Sequence, residues 1–207
     1  MSIEKAEKHL VEVEPQFANL IAKHGRCVLV EEDSEASIYE SLMRAILFQQ
    51  LSGKAASTIR NRLYALFPGH TCPPPEQLMA LTTEEFRAVG VSRQKAGYLH
   101  DFASKAHTIP SPQDLDTLTD DEIVERLISI KGVGRWTVEM LLIFQLGRFD
   151  VLPVDDFGVR SGFGHAYQKG KMPTPKELLA FGEKWRPHRT TAAWYLWRAA
   201  DASKKKK

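Results

Sequence analysis

Four copies of one short pattern constrain the fold of this chain more than any other feature of its sequence. A Ser or Thr followed three residues later by Glu occurs at Ser37, Thr82, Thr119 and Thr174, each before apolar residues at helical spacing. This pattern is typical of the capping box, in which hydroxyl and carboxylate bind backbone N–H groups at a helix start. Alternating strand patterns are scarce, and the best candidate, residues 27–30, equally suits a buried extended linker. The sequence therefore predicts an all-α fold.

The spacing of apolar residues extends this prediction along the chain. Turns that contain proline or glycine separate the helical segments at residues 67–75, 108–112 and 149–156, and no long flexible linker is present. The predicted helices cover residues 3–23, 37–49, 52–66, 76–80, 83–89, 92–107, 120–129, 136–146, 157–166, 175–185 and 189–202.

Charge and cysteine content narrow the classes of protein that fit. The net charge of +2 includes the run Lys204–Lys207, without which the chain is slightly acidic, so phosphate binding would need basic residues gathered on one face. The two cysteines, Cys27 and Cys72, have no C-x-x-C spacing, which predicts neither a disulfide framework nor a zinc or iron–sulfur site. A charged N-terminus and the lack of a long apolar run argue against a signal peptide and a membrane span. We expect a cytoplasmic protein, or a nuclear one in a eukaryote.

A glycine-bearing interruption divides an apolar helical run at residues 129–142 (SIKGVGRWTVEMLL). The predicted helix 120–129 ends there and the next begins near Arg135, so the glycines form a tight hairpin between two helices. Gly132 and Gly134 suit positive φ and place backbone N–H groups at a helix start, where an anion such as DNA phosphate binds. A plain helix–helix turn that binds nothing is the alternative.

Four motifs in a fixed order resemble one protein family. They are residues 44–56 (RAILFQQLSGKAA), the hairpin at 127–137, residues 152–160 (LPVDDFGVR) and residues 185–201 (WRPHRTTAAWYLWRAAD). Together they resemble the helix-hairpin-helix (HhH-GPD) DNA glycosylase superfamily over residues 37–201, in particular its 3-methyladenine DNA glycosylase II (AlkA-like) branch. The chain is similar to the compact form, without the additional N-terminal α/β domain of enterobacterial relatives.

This resemblance implies a single DNA glycosylase unit over residues 1–207, in which two helical subdomains flank a DNA-binding cleft. Residues 37–148 would form a helical bundle with the hairpin at 130–135. Residues 1–36 with 149–203 would form the second subdomain, which carries the catalytic acid, and residues 204–207 are a basic tail.

By its position after LPVD, Asp156 matches the catalytic aspartate of the family, and it can cap the following helix at the same time. A helix cap is the expected role of Asp155. An alkylated purine is cationic and leaves readily, so positive charge develops on the sugar as the glycosidic bond breaks. A carboxylate beside the sugar stabilises that charge, and a helix N-terminus favours a negatively charged group. Whether Asp156 also activates the attacking water stays open.

The residue at position 136 and the lack of later cysteines separate this chain from other branches of the family. Trp136 stands where lyase relatives carry a Schiff-base lysine, and no cysteine follows residue 156, so the resemblance implies neither lyase activity nor an iron–sulfur cluster. Trp136, Trp197 and Phe157 match base-pocket positions, where a cationic purine gains cation–π attraction. Packing in the core is the alternative for each, and it is our expectation for Trp185 and Trp194.

The remaining implied contacts concern DNA and ions. Gln50 or Leu51 would fill the gap left by a flipped nucleotide, with a surface Gln and a buried Leu as the alternatives. Phosphate contacts are implied for Gly132, Gly134, Arg135 and Thr137, and more loosely for Lys131 and Lys54. The main-chain carbonyls of Ile128, Ile130 and Val133 would bind a structural sodium or potassium ion. His165 and His188 lack metal-ligand spacing and are expected to be surface or packing residues.

The sequence thus predicts a monomeric, monofunctional DNA glycosylase of base excision repair that acts on double-stranded DNA. Its substrates would be alkylated purines such as 3-methyladenine and 7-methylguanine, and catalysis would need no cofactor. Two alternatives stay open, a noncatalytic DNA-binding or lesion-sensing protein and a glycosylase for deaminated or oxidised bases. Met140, where some relatives carry an aromatic residue, leaves the base preference open.

Overall fold

The computed structural model describes residues 2–29 and 36–204, and over these residues the chain contains helices and no strand. The α-helices are α1 (Ile3–Val13), α2 (Gln16–His24), α3 (Ile38–Phe48), α4 (Gly53–Tyr64), α5 (Pro75–Ala80), α6 (Thr83–Ala88), α7 (Arg93–Ser104), α8 (Pro112–Leu115), α9 (Asp120–Leu127), α10 (Arg135–Phe144), α11 (Phe157–Tyr167), α12 (Pro175–Gly182) and α13 (Arg189–Lys204). Short 3-10 turns cover Ala106–Thr108 and Glu183–Trp185. The prediction of an all-α fold is confirmed.

Hydroxyl groups cap the helix starts as the sequence predicted. Reciprocal capping boxes begin α6 at Thr82, α9 at Thr119 and α12 at Thr174. At Ser37 the hydroxyl oxygen accepts a hydrogen bond from the Glu40 N–H, with an N–O distance of 3.1 Å. A further reciprocal box at Ser111 begins α8, which has too few residues for apolar spacing to reveal it.

Two details differ from the prediction. The helix predicted at 3–23 is two helices, because Pro15 disfavours helical backbone at Glu14, which is extended with φ −151° and ψ 94°. Residues 27–29 form no strand, and the Cys27 N–H donates to the Glu7 carboxylate instead, over 2.8 Å. Val30 of the candidate strand and residues 205–207 of the predicted tail lie outside the described residues.

The chain divides into two compact units, which we call the central unit (residues 33–141) and the terminal unit (residues 1–32 and 142–207). The predicted subdomain boundaries, after residues 36 and 148, lie a few residues further along the chain. The core of the central unit consists of aliphatic and aromatic side chains: Leu42, Met43, Ile46, Leu47, Leu63, Leu78, Phe86, Leu99 and Phe102.

In the terminal unit, α11 packs closely against α13 over an aromatic core. A Cβ atom placed on Gly162 of α11 would lie 1.8 Å from the carbonyl oxygen of Leu196, so only glycine permits this approach. Trp185 is fully buried in the core, as predicted, and Trp194 is partly buried against it. Over the residues that the structure describes, no helix combines the length and the apolar character needed to cross a membrane.

Candidate functional site

The glycine hairpin lies in the central unit, between α9 and α10. The Ile130 N–H donates to the Leu127 carbonyl and the Val133 N–H to the Ile130 carbonyl, so two successive turns reverse the chain. Gly132 has a φ of +85°, and a Cβ atom there would lie 2.6 Å from Cδ2 of Tyr98. Both the backbone conformation and the contact with Tyr98 therefore require glycine at this position.

Gly134 does not have the positive φ that the sequence predicted for it. It immediately precedes α10, and its carbonyl already accepts the Val138 N–H of the first turn, a role that needs no left-handed backbone. A Cβ atom on Gly134 would meet no atom within 4 Å. The hairpin therefore needs one glycine for its conformation, and Gly134 leaves open space in front of the helix start.

Exposed groups surround this helix start. The first N–H groups of an α-helix have no intrahelical acceptor and point outward along the axis, which favours anions. Arg135, in the first turn, is exposed, and its Nη1 lies 4.0 Å from Oε1 of the buried Glu139. Of the other predicted phosphate contacts, Lys131, Gly134 and Lys54 are exposed, whereas Gly132 and Thr137 are half-buried.

Helix α7 supports the hairpin through side chains that sequence reasoning missed. Asp101 Oδ2 accepts hydrogen bonds from the Lys131 N–H (2.8 Å) and from Lys105 Nζ (2.9 Å). The same Lys105 Nζ donates to the Ser129 carbonyl over 2.6 Å. Burial opposes ionisation of Asp101, but these hydrogen bonds outweigh it and lower the pKa of its carboxyl group. Together with Tyr98, these residues recur at helical spacing on one face of α7, which is the signal that would have revealed them.

The predicted wedge residues form the turn between α3 and α4. Gln50 is exposed and has a φ of 55°, and Leu51 is 40% exposed, so the alternative of a buried Leu is wrong. Left-handed backbone is uncommon for a residue other than glycine. Lys95 Nζ donates to the Leu47 and Gln49 carbonyls over 2.7 and 2.6 Å, and Gln49 Nε2 donates to the Gly132 carbonyl over 2.6 Å.

In the terminal unit, Asp156 is the N-cap of α11. Its Oδ1 accepts hydrogen bonds from the Val159 N–H (2.7 Å) and from Trp197 Nε1 (2.8 Å). Asp155 is exposed and is not the cap, so that expectation is wrong: α11 begins at Phe157, one residue too late for Asp155 to reach it. The Asp156 carboxylate is half-buried, with one oxygen held by two donors.

Trp197 lies directly against this carboxylate. Its ring stacks on Phe144, with centroids 5.7 Å apart and planes inclined by 29°, and it partly packs on the core of the terminal unit. A Cβ atom on Gly158 would lie 2.8 Å from Cδ1 of Trp197, so glycine permits the indole to approach the start of α11. The structure thus brings Trp197 and Asp156 together, two residues that the sequence assigned separate roles.

The other two predicted pocket aromatics are largely exposed. Phe157, next to the acid in the terminal unit, is 65% exposed, and Trp136, on α10 in the central unit, is 49% exposed. Neither is a core residue, so the alternative of core packing is wrong for both. Both aromatic rings are therefore accessible to a ligand.

Side chains at the start of α13 hold residues 148–151. These residues begin the segment 148–156, which we call the acid loop because it ends at Asp156. Arg189 Nε donates to Asp150 Oδ1 over 2.7 Å, and its Nη2 donates to the Asp150 carbonyl over 2.6 Å. The Thr190 hydroxyl donates to the Arg148 carbonyl and accepts the Val151 N–H. Arg189 and Thr190 are buried, so water competes little for these hydrogen bonds.

No cluster of three or more His, Cys, Asp or Glu side chains with metal-binding geometry occurs among residues 2–29 and 36–204. His165 is exposed, as expected for a surface residue. His188 is a packing residue, buried edge-to-face against His9 with ring centroids 5.2 Å apart. Burial and, secondarily, the charge of His9 lower the pKa of His188.

The predicted ion site consists of the main-chain oxygen of Ile128, the C-cap of α9, and those of Ile130 and Val133 in the hairpin that follows. The carbonyl dipoles at a helix C-terminus attract positive charge, and main-chain oxygens are hard ligands. In this structure the Ser129 carbonyl, between Ile128 and Ile130, already binds the Lys105 ammonium over 2.6 Å. Main-chain oxygens are ligands of the kind that a hard cation takes, and the Ile130 oxygen also accepts the Val133 N–H.

Comparison with known proteins places this geometry in a family. Residues 43–188 match the family described as HhH-GPD superfamily base excision DNA repair protein. The chain is 38% identical over 201 residues to DNA-3-methyladenine glycosylase 1 of Schizosaccharomyces pombe, covering 96% of this chain and 88% of that protein.

Solved structures agree with this match. The S. pombe 3-methyladenine DNA glycosylase in complex with abasic DNA has a TM-score of 0.78 and 39% identity, covering 94% of this chain and 95% of that one. A DNA-3-methyladenine glycosidase from Bacillus halodurans has a TM-score of 0.85 and 33% identity, covering 97% and 91%. With the hairpin, the capped acid and these similarities together, the chain belongs to the HhH-GPD superfamily of base excision DNA repair proteins.

Proposed function

We propose that this chain is a monofunctional DNA glycosylase that removes alkylated purines from double-stranded DNA and leaves an abasic site. The observation that carries the proposal is the half-buried Asp156 carboxylate at the start of α11, held by Val159 and Trp197. The S. pombe relative supports it, since that protein is named DNA-3-methyladenine glycosylase 1. The protein acts as a monomer, and catalysis needs no cofactor.

The chemistry follows from the leaving group. As the bond between sugar C1′ and the purine nitrogen breaks, its electron pair stays with the base and cancels the positive charge that alkylation had introduced. The sugar then carries the positive charge, which the Asp156 carboxylate stabilises. Water adds to C1′ and loses a proton, which gives the abasic sugar. A neutral leaving base needs no general acid, so a single carboxylate suffices.

The Trp197 and Val159 N–H groups act on the acid, not on the substrate. Both donate to the same oxygen, Oδ1, and so fix the carboxylate plane relative to the start of α11. A carboxylate held in place before the reaction loses little free energy to reorientation when charge develops on the sugar. Trp197 therefore both orients Asp156 and offers its ring near the reacting nucleotide.

Each of the three predicted aromatics, Trp136, Trp197 and Phe157, is proposed to contact the flipped base. An alkylated, cationic purine gains about 0.5 to 2 kcal/mol of cation–π attraction that a normal base lacks. The exposure of Trp136 and Phe157 supports this role, because such surfaces become buried when a ligand binds. Trp136 cannot form a Schiff base, so the reaction stops at hydrolysis without strand cleavage.

Contacts with the DNA backbone come from the central unit in this proposal. The proposed phosphate ligands are Gly132, Gly134, Arg135 and Thr137, with Lys131 and Lys54 as further contacts. Gln50 or Leu51 enters the duplex as the nucleotide leaves it. The carbonyls of Ile128, Ile130 and Val133 would hold a sodium or potassium ion, which supplies positive charge next to the phosphate and takes no part in catalysis.

The test is to incubate the protein with duplex DNA treated with a methylating agent and to separate the released bases by chromatography. We expect 3-methyladenine and 7-methylguanine in the soluble fraction, and a DNA strand that breaks only after alkali. Duplexes with hypoxanthine or 8-oxoguanine serve as comparison substrates. Binding without release of any alkylated base would show a noncatalytic DNA-binding protein, and release of only deaminated or oxidised bases would replace the substrate class.

A further inference from the structure

Lys95 connects helix α7 with the turn that carries the proposed wedge. Its ammonium donates to the Leu47 carbonyl at the end of α3 and to the Gln49 carbonyl, which directly precedes Gln50. A lysine at this position offsets the negative end of the helix dipole and satisfies carbonyls that α3 leaves open. Lys95 is half-buried, and this burial lowers the pKa of its ammonium.

Gln49 continues this connection to the hairpin. Its side-chain amide donates to the Gly132 carbonyl over 2.6 Å, 83 residues away along the chain. Gly132 in turn lies against the ring of Tyr98, one helical turn from Lys95 on the same face of α7. The contacts form a closed ring that runs from α7 through Lys95, the wedge turn, Gln49 and Gly132, and back to α7 through Tyr98.

We infer that Lys95 is a positioning residue that joins the wedge turn and the phosphate-binding hairpin into one rigid element. The inference rests on the proposed function, because that function requires the turn to insert into the duplex when a nucleotide is flipped out. A hairpin bound to phosphate then fixes where Gln50 and Leu51 meet the base stack. A side chain inserted into the base stack offsets the free-energy cost of unstacking the flipped base. A turn that moves away from the stack cannot do this.

The test compares Lys95→Met with Lys105→Met. Methionine keeps much of the length and the apolar stem of lysine but donates no hydrogen bond. Lys105 is the matched control because it directly follows the same helix as its C-cap and binds the Ser129 carbonyl at the hairpin, but its contacts do not include the wedge turn. Single-turnover base release is measured on two duplexes with the same alkylated purine, one opposite its normal partner base and one opposite an abasic site, where flipping costs little.

We expect Lys95→Met to reduce the rate on the paired duplex by about tenfold or more, as for the loss of charge-assisted hydrogen bonds. On the duplex with the opposite abasic site, the loss should be about twofold or less, because little unstacking is required there. Lys105→Met should affect both substrates equally. Equal losses of Lys95→Met on both duplexes, or no loss on either, would overturn the inference.

A measurement without DNA separates this inference from the proposed function. Amide hydrogen exchange of the free protein should accelerate at residues 49–53 and at Gly132 in Lys95→Met, while the amides of α9 stay as in the wild type. If the wild type releases no base, the proposed function fails but the exchange result still decides whether Lys95 joins the two segments. Unchanged exchange at residues 49–53 would contradict the inference directly.

Discussion

The hairpin of the central unit and the acid loop of the terminal unit are both irregular segments held by helices distant in sequence, but they are held differently. Asp101 of α7 and Lys105, the C-cap of that helix, bind backbone groups of the hairpin, and Gly134 and Arg135 are exposed. Buried side chains at the start of α13 and Trp197 hold the acid loop, and Asp156 stays half-buried. The first arrangement suits binding of a polyanion, and the second suits an anion that must keep one fixed orientation.

Each unit should lose stability when its own closest backbone contact is disturbed. Gly162→Ala places a Cβ atom 1.8 Å from the Leu196 carbonyl and forces α11 away from α13, which removes the support of the acid loop. We expect a loss of about 3 kcal/mol or more in the free energy of unfolding, measured by denaturant titration. Gly97→Ala, within α7 and without a neighbour inside 4 Å, is the control and should be neutral or slightly stabilising.

The hairpin should depend on one of its two glycines. Gly132→Ala combines a φ of +85° with a Cβ atom 2.6 Å from Tyr98, so we expect a loss of about 2 to 4 kcal/mol in unfolding free energy. Gly134→Ala, with open space around its Cβ atom, should change stability by less than about 0.5 kcal/mol. Similar losses in the two variants, measured by thermal and denaturant unfolding, would contradict the difference assigned to these positions.

The acid loop should respond to loss of a single hydrogen bond. Trp197→Phe keeps an aromatic ring against Phe144 but removes the indole N–H that donates to Asp156. A hydrogen bond to a charged group contributes about 1.5 to 3 kcal/mol, so single-turnover base release should fall roughly tenfold to a hundredfold. Duplex affinity, measured by fluorescence anisotropy, should stay near the wild-type value. An affinity loss as large as the rate loss would place Trp197 in DNA binding instead.

The smallest expected effect is a pH dependence confined to the terminal unit. Burial lowers the pKa of His188 below its ordinary value, so the unfolded chain binds a proton at a higher pH than the native protein does. The contribution of neutral His188 to the free energy of unfolding is therefore complete at a pH above the ordinary pKa of histidine, and it declines as the pH falls below that pKa. The charge of His9 adds to this effect and that of Asp150 opposes it.

The measurement is the unfolding free energy between pH 7.5 and 5 for the wild type and for His188→Gln. The decline on acidification should be shallower in the variant, because glutamine does not titrate. His165→Gln is the control for the change from histidine to glutamine itself, since His165 is exposed. Parallel curves for the wild type and His188→Gln would show that another group causes the decline.

Features of the fold that depend on neighbouring residues were predictable from the sequence. The capping boxes at Thr82, Thr119 and Thr174 involve residues three positions apart, and the structure confirms them. The break near Pro15 was missed because apolar spacing continues across it, although proline restricts the residue that precedes it. The error at Asp155 is also local, because α11 begins one residue later than a cap at Asp155 would require.

Contacts between distant segments were not predictable in this way. Lys95 and the Leu47 carbonyl are 48 residues apart, and Trp197 and Asp156 are 41 residues apart. Periodicity shows which face of α7 a side chain occupies, but not which backbone group that face meets. The resemblance to a family supplied Asp156 and Trp197 as individual residues, and only the structure shows that one donates a hydrogen bond to the other.

The most direct test of the central claim compares Asp156→Asn with Asp155→Asn, two neighbouring acids with the same change of charge. In single-turnover base release from methylated duplex DNA, Asp156→Asn should be slower than the wild type by about a hundredfold or more, because it removes the anion beside the sugar. Asp155→Asn should stay within about twofold, as expected for an exposed charge. Both variants should bind the duplex as the wild type does. Equal rates of release by Asp156→Asn and the wild type would contradict the account.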